Sequence, residues 1–348
     1  MSQNNQSNII KNVLADRERK SICRMIFEAG YLGVKNGELP KFYFTRFLYR
    51  KNVKNIGDYI STYKNVSKIH RSKKIHNACV EEILENKLLF SYFFEGKKVA
   101  TPKMLGFNMQ NIFHCGDTAV KVQNKDDLIS FFENYIFKNG ISEVFVKPIH
   151  GSGGGNHHRI KLADLSSDTN FFNILTKTNF VFQECIVQHP SLAKVFSGSV
   201  NTLRLVSYLD GKEVKFIGGY FRFGSGKSCV DNGCAGGGSV GFNLETGVLD
   251  KIALQLLDSG GKVFFCHPET KFVFEGMKIP FYEEVKQLVR DTIDILPAKL
   301  VGWDIAITKD GPVLIEGNHD FHLGLCEVIA GGCGKDPIYQ KILREANE

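Results

Sequence analysis

Apolar residues recur at helical spacing from Ile9 to Glu28, with Ile10, Val13, Leu14, Ile22, Met25 and Ile26 on that period. The pattern predicts one amphipathic helix that stops before Gly30. The same period returns over Asn77–Phe94, through Val80, Ile83, Leu84 and Leu88, and over Asp126–Lys138, closed by Asn139-Gly140. Beyond it the period shortens. Strands are expected at Glu143–Lys147, His158–Leu162, Phe180–Ile186, Thr202–Leu209, Val214–Phe221, Leu300–Thr308 and Val313–Gly317. Short helices are expected at Asp168–Leu175, Pro190–Phe196, Tyr282–Ile295 and the C-terminus. Lys309-Asp310-Gly311-Pro312 reads as a tight turn joining the last two strands, because Asp-Gly accepts positive φ. Runs of strands interrupted by single helices argue an α+β fold.

With 348 residues the chain exceeds one ordinary core, and 43% hydrophobic content including 28 Phe supplies the interior. No apolar run approaches the ~20 residues of a membrane span, and the polar opening Met1–Gln6 does not resemble a signal peptide. Nine cysteines at irregular spacing suit reduced thiols, so the expected compartment is the cytoplasm. The net charge of +7 is uneven: up to Lys103 there are 20 Lys and Arg against 9 Asp and Glu, which leaves the remainder about −4. The densest basic run is Lys68-Ile69-His70-Arg71-Ser72-Lys73-Lys74. It has no interleaved aromatic motif, so nucleic acid is not an expected partner. A solvated basic face or an anionic substrate fits better.

Two stretches carry chemistry. Val144-Phe145-Val146-Lys147-Pro148 runs into Gly151-Ser152-Gly153-Gly154-Gly155, which places an ammonium beside a loop whose N–H groups can close on phosphate oxygens. Later, Gly302-Trp303-Asp304-Ile305-Ala306 precedes Val313-Leu314-Ile315-Glu316-Gly317-Asn318. Glu316 and Asn318 alternate along one strand and share a face. If the turn pairs the two strands, Asp304 lies beside them, and three hard oxygen donors converge as Mg²⁺ requires. Two familiar patterns fail their context. Gly226-Lys227-Ser228 lacks the earlier P-loop glycine, which falls on Phe221. Gly236-x-Gly238-x-x-Gly241 leads into strand and turn rather than a helix.

Together with Gln183-Glu184, Val200-Asn201-Thr202-Leu203-Arg204, Phe221-Arg222-Phe223-Gly224 and Val230-Asp231-Asn232 followed by Gly236-Gly237-Gly238, these stretches resemble the ATP-grasp superfamily, and within it the sugar-transfer-associated group. The resemblance covers roughly residues 85 to 320. It implies two α+β lobes gripping the nucleotide, one at 85–188 with the glycine loop and one at 189–348 with the metal site, preceded by a basic, mainly helical segment at 1–84. It also implies ATP and Mg²⁺ as cofactors and assigns roles. Lys87 and Lys147 would bind nucleotide with Gly151, Ser152, Gly153 and Gly154. Gln183, Glu184, Cys185 and Ile186 would form the adenine hinge, and His189 would reach the ribose. Arg204, Arg222 and Lys147 would be catalytic. Asp304, Glu316 and Asn318 would hold the metal, while Asp231, Asn232, Gly237 and His319 would contact substrate.

Each assignment has a plain structural alternative: a solvated helix lysine for Lys87, a core strand for 183–186, a helix cap for His189, salt bridges for the arginines, a turn for Asp231-Asn232. After Glu316-Gly317-Asn318 the chain reads His319-Asp320-Phe321-His322, where many ATP-grasp ligases have small residues and a Pro-Gly turn. A second, transition-metal site is one reading of that segment, and loop histidines beside the acceptor are the other. The expected activity is an ADP-forming carboxylate–amine ligase working through an acyl phosphate, with an amino acid, a carboxylated sugar or a glycan precursor as partner and a place in cell-surface polysaccharide synthesis. A kinase for a hydroxyl acceptor and a non-catalytic nucleotide-binding scaffold are the competing readings.

Overall fold

The computed structural model describes residues 3–138, 140–151, 156–167, 170–226, 231 and 237–348. Ser152, Gly153, Gly154 and Asn232, all expected site residues, lie outside them. The N-terminal segment is helical: α1 (Gln3–Ala15), α2 (Ile22–Asn36), α3 (Lys41–Thr45) and α4 (Tyr63–Arg71). The single helix expected over Ile9–Glu28 is in fact two. Buried Lys20 breaks it by donating to Glu28 at 2.7 Å and to the Leu48 carbonyl at 2.9 Å, and the Ser21 hydroxyl caps α2. Gly30 does not stop α2, which ends at Gly37 with φ 62°, a left-handed residue that glycine adopts freely. Likewise Asn77–Phe94 divides into α5 (Ala78–Glu85) and α6 (Lys87–Phe94). At the junction the Asn86 side chain accepts from the amides of Leu88 and Leu89, both at 3.0 Å, and so starts a new helix.

Two antiparallel sheets follow. The first contains β1 (Met104–Met109), β2 (Ile112–Cys115), β3 (Thr118–Lys121), β4 (Val144–Pro148), β5 (His158–Ile160) and β6 (Phe180–Glu184), in the order β3-β2-β1-β6-β4-β5. The β1–β3 meander has no counterpart in the expected strands. Its outer face is covered by α7 (Lys125–Phe131), α8 (Leu162–Ser167) and α9 (Asn170–Lys177), around Phe113, Val144, Val146, Ile160 and Phe182. The helix expected to reach Lys138 becomes a π-helical turn at Phe132–Ile136.

The second sheet contains β7 (Leu203–Asp210), β8 (Glu213–Phe223), β9 (Gly238–Phe242), β10 (Leu249–Leu254), β11 (Val263–Phe264), β12 (Leu300–Thr308) and β13 (Gly311–Asn318), in the order β11-β10-β9-β8-β7-β12-β13. The remaining helices are α10 (Pro190–Ala193), α11 (Tyr282–Ile295), α12 (Leu323–Ala330) and α13 (Pro337–Asn347). Alternation along the strands gives the sheet two apolar faces. One carries Leu203, Leu205, Trp303 and Ile305 against α11 and against Leu84, Phe90 and Phe94 of α5 and α6. The other carries Val206, Tyr208 and Leu300 against Ile69 of α4, Leu325 of α12 and Ile342 of α13. Each buried aromatic of these layers stabilises the fold by roughly 1.5–3 kcal/mol. Among the described residues no helix is long and apolar enough to cross a membrane, and seven cysteines are free.

Candidate active site between the two sheets

The residue β4 presents to the cleft follows from strand alternation. Val144 and Val146 face the α7–α9 core, so Phe145 and Lys147 face the other way. Lys147 is buried, and its pKa is lowered to about 8, first by burial and then by Lys87; Glu316 and Asp304 pull it back up. The Lys87 ammonium donates to the Gly151 carbonyl at 2.8 Å and lies 3.9 Å from Glu316, linking Gly151 to β13. Gly151 has φ 110°, which a side-chain-bearing residue adopts only under strain.

The opposite wall is a row running across four strands. Glu316 on β13 is registered with Asp304 on β12, Asp304 with Arg204 on β7, and Arg204 with Tyr220 on β8. All four line the cleft, since residues in register put their side chains on one face. Both Asp304 oxygens are engaged. Arg204 grips one through Nε and the other through Nη2 at 2.8 Å, and Arg222 Nη1 reaches the second at 2.9 Å. Arg222 Nη2 also donates to Asp231 at 2.9 Å, and Asp231 accepts from the Thr202 amide at 2.8 Å and from its hydroxyl at 2.5 Å. The result is an alternating, hydrogen-bonded chain of two carboxylates and two guanidiniums. Burial disfavours the Arg204 charge, but Asp304 outweighs it and holds the pKa above the usual arginine value. Burial likewise raises Asp304, and the two arginines overcome it to leave the carboxyl below its ordinary value. Tyr220 is pushed up to about 12, mainly by burial.

Glu316 and Asn318 sit side by side, the amide donating to the carboxylate at 3.2 Å, and both line the cleft. They fit a hard cation that keeps water and takes its other ligands from phosphate. Asp304, expected as a third ligand, is committed to the arginines. Gln183, Glu184, Cys185 and Ile186 line the edge where β6 leaves the first sheet, with the Gln183 amide turned back to Ser91 at 3.2 Å. Gly237 also lines the cleft, and a Cβ there would meet the Phe223 carbonyl at 2.3 Å. The whole encloses about 390 Å³.

Two expected residues lie elsewhere. His189 caps α10, its Nδ1 accepting from the Ser191 amide at 3.2 Å. His319 turns to α5, 3.3 Å from Glu85. Its neighbours diverge: Asp320 meets His70 at 3.0 Å, and His322 caps α12. Among the described residues no group of three or more His, Cys, Asp or Glu is arranged to hold a metal by itself. Asp320 and His322, from the segment read as either a second metal site or loop histidines beside the acceptor, line the cleft beside Asn318, as do His157, Tyr220 and Arg159, the last two not singled out in the sequence. Of these two, Tyr220 had a readable signal, lying two residues from Arg222 on the same strand face.

Two antiparallel sheets closing on a lysine from one side and a charged row from the other define a fold of the ATP-grasp class. The sequence model described as sugar-transfer associated ATP-grasp matches residues 68–342, and the chain belongs to that family. No curated protein matches it in sequence. Among solved structures it is similar to the ATP-grasp ligase PsnB complexed with a minimal precursor, Mg and ADP, at 12% identity and a TM-score of 0.43, over 79% of this chain and 62% of that one. It is also similar to N5-carboxyaminoimidazole synthase from Aspergillus clavatus in complex with ADP, at 8% identity and a TM-score of 0.40, over 69% and 46%. The chain thus spans about three fifths and under half of their respective lengths.

Proposed function

We propose that this ATP-grasp protein is an ATP- and Mg²⁺-dependent, ADP-forming carboxylate–amine ligase. The observation that carries the reading is the cleft itself, where Lys147 faces Glu316 and Asn318 with two arginines behind them. Lys147 and Lys87 would bind the phosphates beside Gly151, with adenine at Gln183–Ile186. Glu316 and Asn318 would hold Mg²⁺, whose contribution is neutralisation of phosphate charge. The Arg204 and Arg222 guanidiniums would orient the acceptor carboxylate and neutralise charge spread over the transferring phosphoryl oxygens. An acceptor carboxylate oxygen attacks the γ-phosphorus and ADP leaves; an amine then attacks the acyl carbon and phosphate leaves. The carboxylate is thereby converted into an anhydride with a good leaving group. The family's name supports a sugar-linked acceptor in polysaccharide synthesis.

Incubation with ATP, Mg²⁺, pooled amino acids and carboxylated sugars in the presence of hydroxylamine tests this. A hydroxamate with ADP release is the expected product. ADP with a stable phosphorylated hydroxyl compound and no hydroxamate would replace the ligase by a kinase.

A further inference from the structure

The family match starts at residue 68, and the helices before it carry a surface that the catalytic cleft does not use. Ile10 and Leu14 of α1 and Ile22 and Ile26 of α2 are all exposed, and with Val13, Met25 and Phe44 they form an apolar groove of about 410 Å³. Around the side of α2, Phe27, Tyr31 and Val34 make a second exposed stripe at helical spacing, with 75% of Phe27 and 87% of Val34 accessible. Contiguous exposed apolar surface of this kind marks a contact site in a folded protein.

The charges around it have one sign. The acids of this segment are mostly spent internally: Glu28 holds Lys20, Arg24 and Tyr43, Asp16 holds Arg50 and Tyr49, and Glu38 accepts the amides of Tyr63 and Lys64. Lys11, Arg17, Arg24, Lys35 and Lys41 are exposed around the apolar stripes, against Glu18 as the one exposed acid between residues 9 and 41. Apolar side chains set among lysines and arginines match a bilayer whose surface is anionic: the hydrocarbon accepts the former and the headgroup phosphates the latter. A protein partner or a second copy would satisfy the groove without calling for that charge.

We propose that α1 and α2 lie on an anionic lipid surface, keeping the enzyme peripheral to the membrane while its cleft works in water. The test is co-sedimentation of the full chain with phosphatidylcholine vesicles, with and without phosphatidylglycerol. The expected result is binding to the anionic vesicles only, lost at about 1 M salt, where the screening length shrinks to about 3 Å. Replacing Lys11 and Lys35 together by Gln should weaken binding by about fivefold per charge removed. Ile26→Asp with Phe27→Asp should weaken it by about tenfold or more, with turnover in solution and the circular dichroism unchanged. Equal binding to neutral vesicles would overturn the proposal. So would an absence of vesicle binding; a chain that then sediments as a dimer at micromolar concentration would make a second copy the occupant of the groove.

Discussion

The two walls of the cleft handle buried charge in opposite ways. On the first sheet, Lys147 is buried with its attraction to Glu316 and Asp304 acting through space, and its proton affinity falls. On the second, Arg204 and Arg222 are buried in direct bonds to Asp304 and Asp231, and their proton affinity rises. One wall keeps an unmet demand for negative charge; the other has met its own. A charge paired inside the fold is costly to uncouple, while a demand left open is available to a ligand.

The sharpest way to break this contrast is Asp304→Ala, which strands the buried Arg204 guanidinium and leaves Arg222 with Asp231 alone. It should cost about 3–5 kcal/mol of stability, read as a lowered denaturation midpoint. Combining Arg204→Met with Asp304→Leu should recover much of that loss and none of the activity, whereas recovered turnover would remove Arg204 from the reaction. Lys147→Met should behave in reverse. Stability should hold or rise, because a buried charge is gone, while kcat/KM falls by about a hundred- to a thousandfold. Wild-type turnover in that variant would end the nucleotide assignment.

A pH series sharpens the same point. Lys147 is charged below about pH 8 and neutral above it, so nucleotide affinity should weaken on the alkaline side, by up to about tenfold per pH unit. A flat profile from pH 7 to about 9.5 would place the phosphates away from Lys147. On the acid side, burial lowers His76 to about 4 from 6.5. The unfolded chain then binds more protons than the folded one between those values. Stability should be complete above about pH 6.5 and fall towards pH 4, by about 1–3 kcal/mol in all. His76→Gln should flatten that slope. Smallest of all, exposed Lys73→Ala should change neither stability nor turnover measurably.

How much of this was legible in the sequence varies with the range of the interactions involved. The β12–β13 hairpin was readable from Asp310-Gly311, but a regular ladder from that turn would set Asp304 opposite Ile315, and it is a bulge between Asp304 and Ile305 that brings Asp304 opposite Glu316. The cleft-facing side of β4 followed from Val144 and Val146 alternating with Lys147. What escaped was lateral. That Asp304 meets two arginines depends on β7 lying between β12 and β8, and the 100 residues separating Arg204 from Asp304 hide that order. The β1–β3 meander escaped because its strands are as short as four residues and Thr118–Lys121 is almost wholly exposed, leaving little alternation to read. The helix breaks at Lys20 and Asn86 were local, but their cause was not apolar period: one is a buried ion pair and the other a side-chain cap.

Asp304 also acts as a resident competitor. Tethered to β12, it offers the Arg204 and Arg222 guanidiniums a carboxylate that is always in place. In the proposed reaction, the acceptor carboxylate is oriented by these arginines but gains little affinity from them, because they already hold one carboxylate. A phosphoryl group in flight presents three charged oxygens and outbids the single carboxylate. The internal rival thus filters by charge and favours the transferring group over the substrate at rest, which is the inequality on which rate enhancement depends.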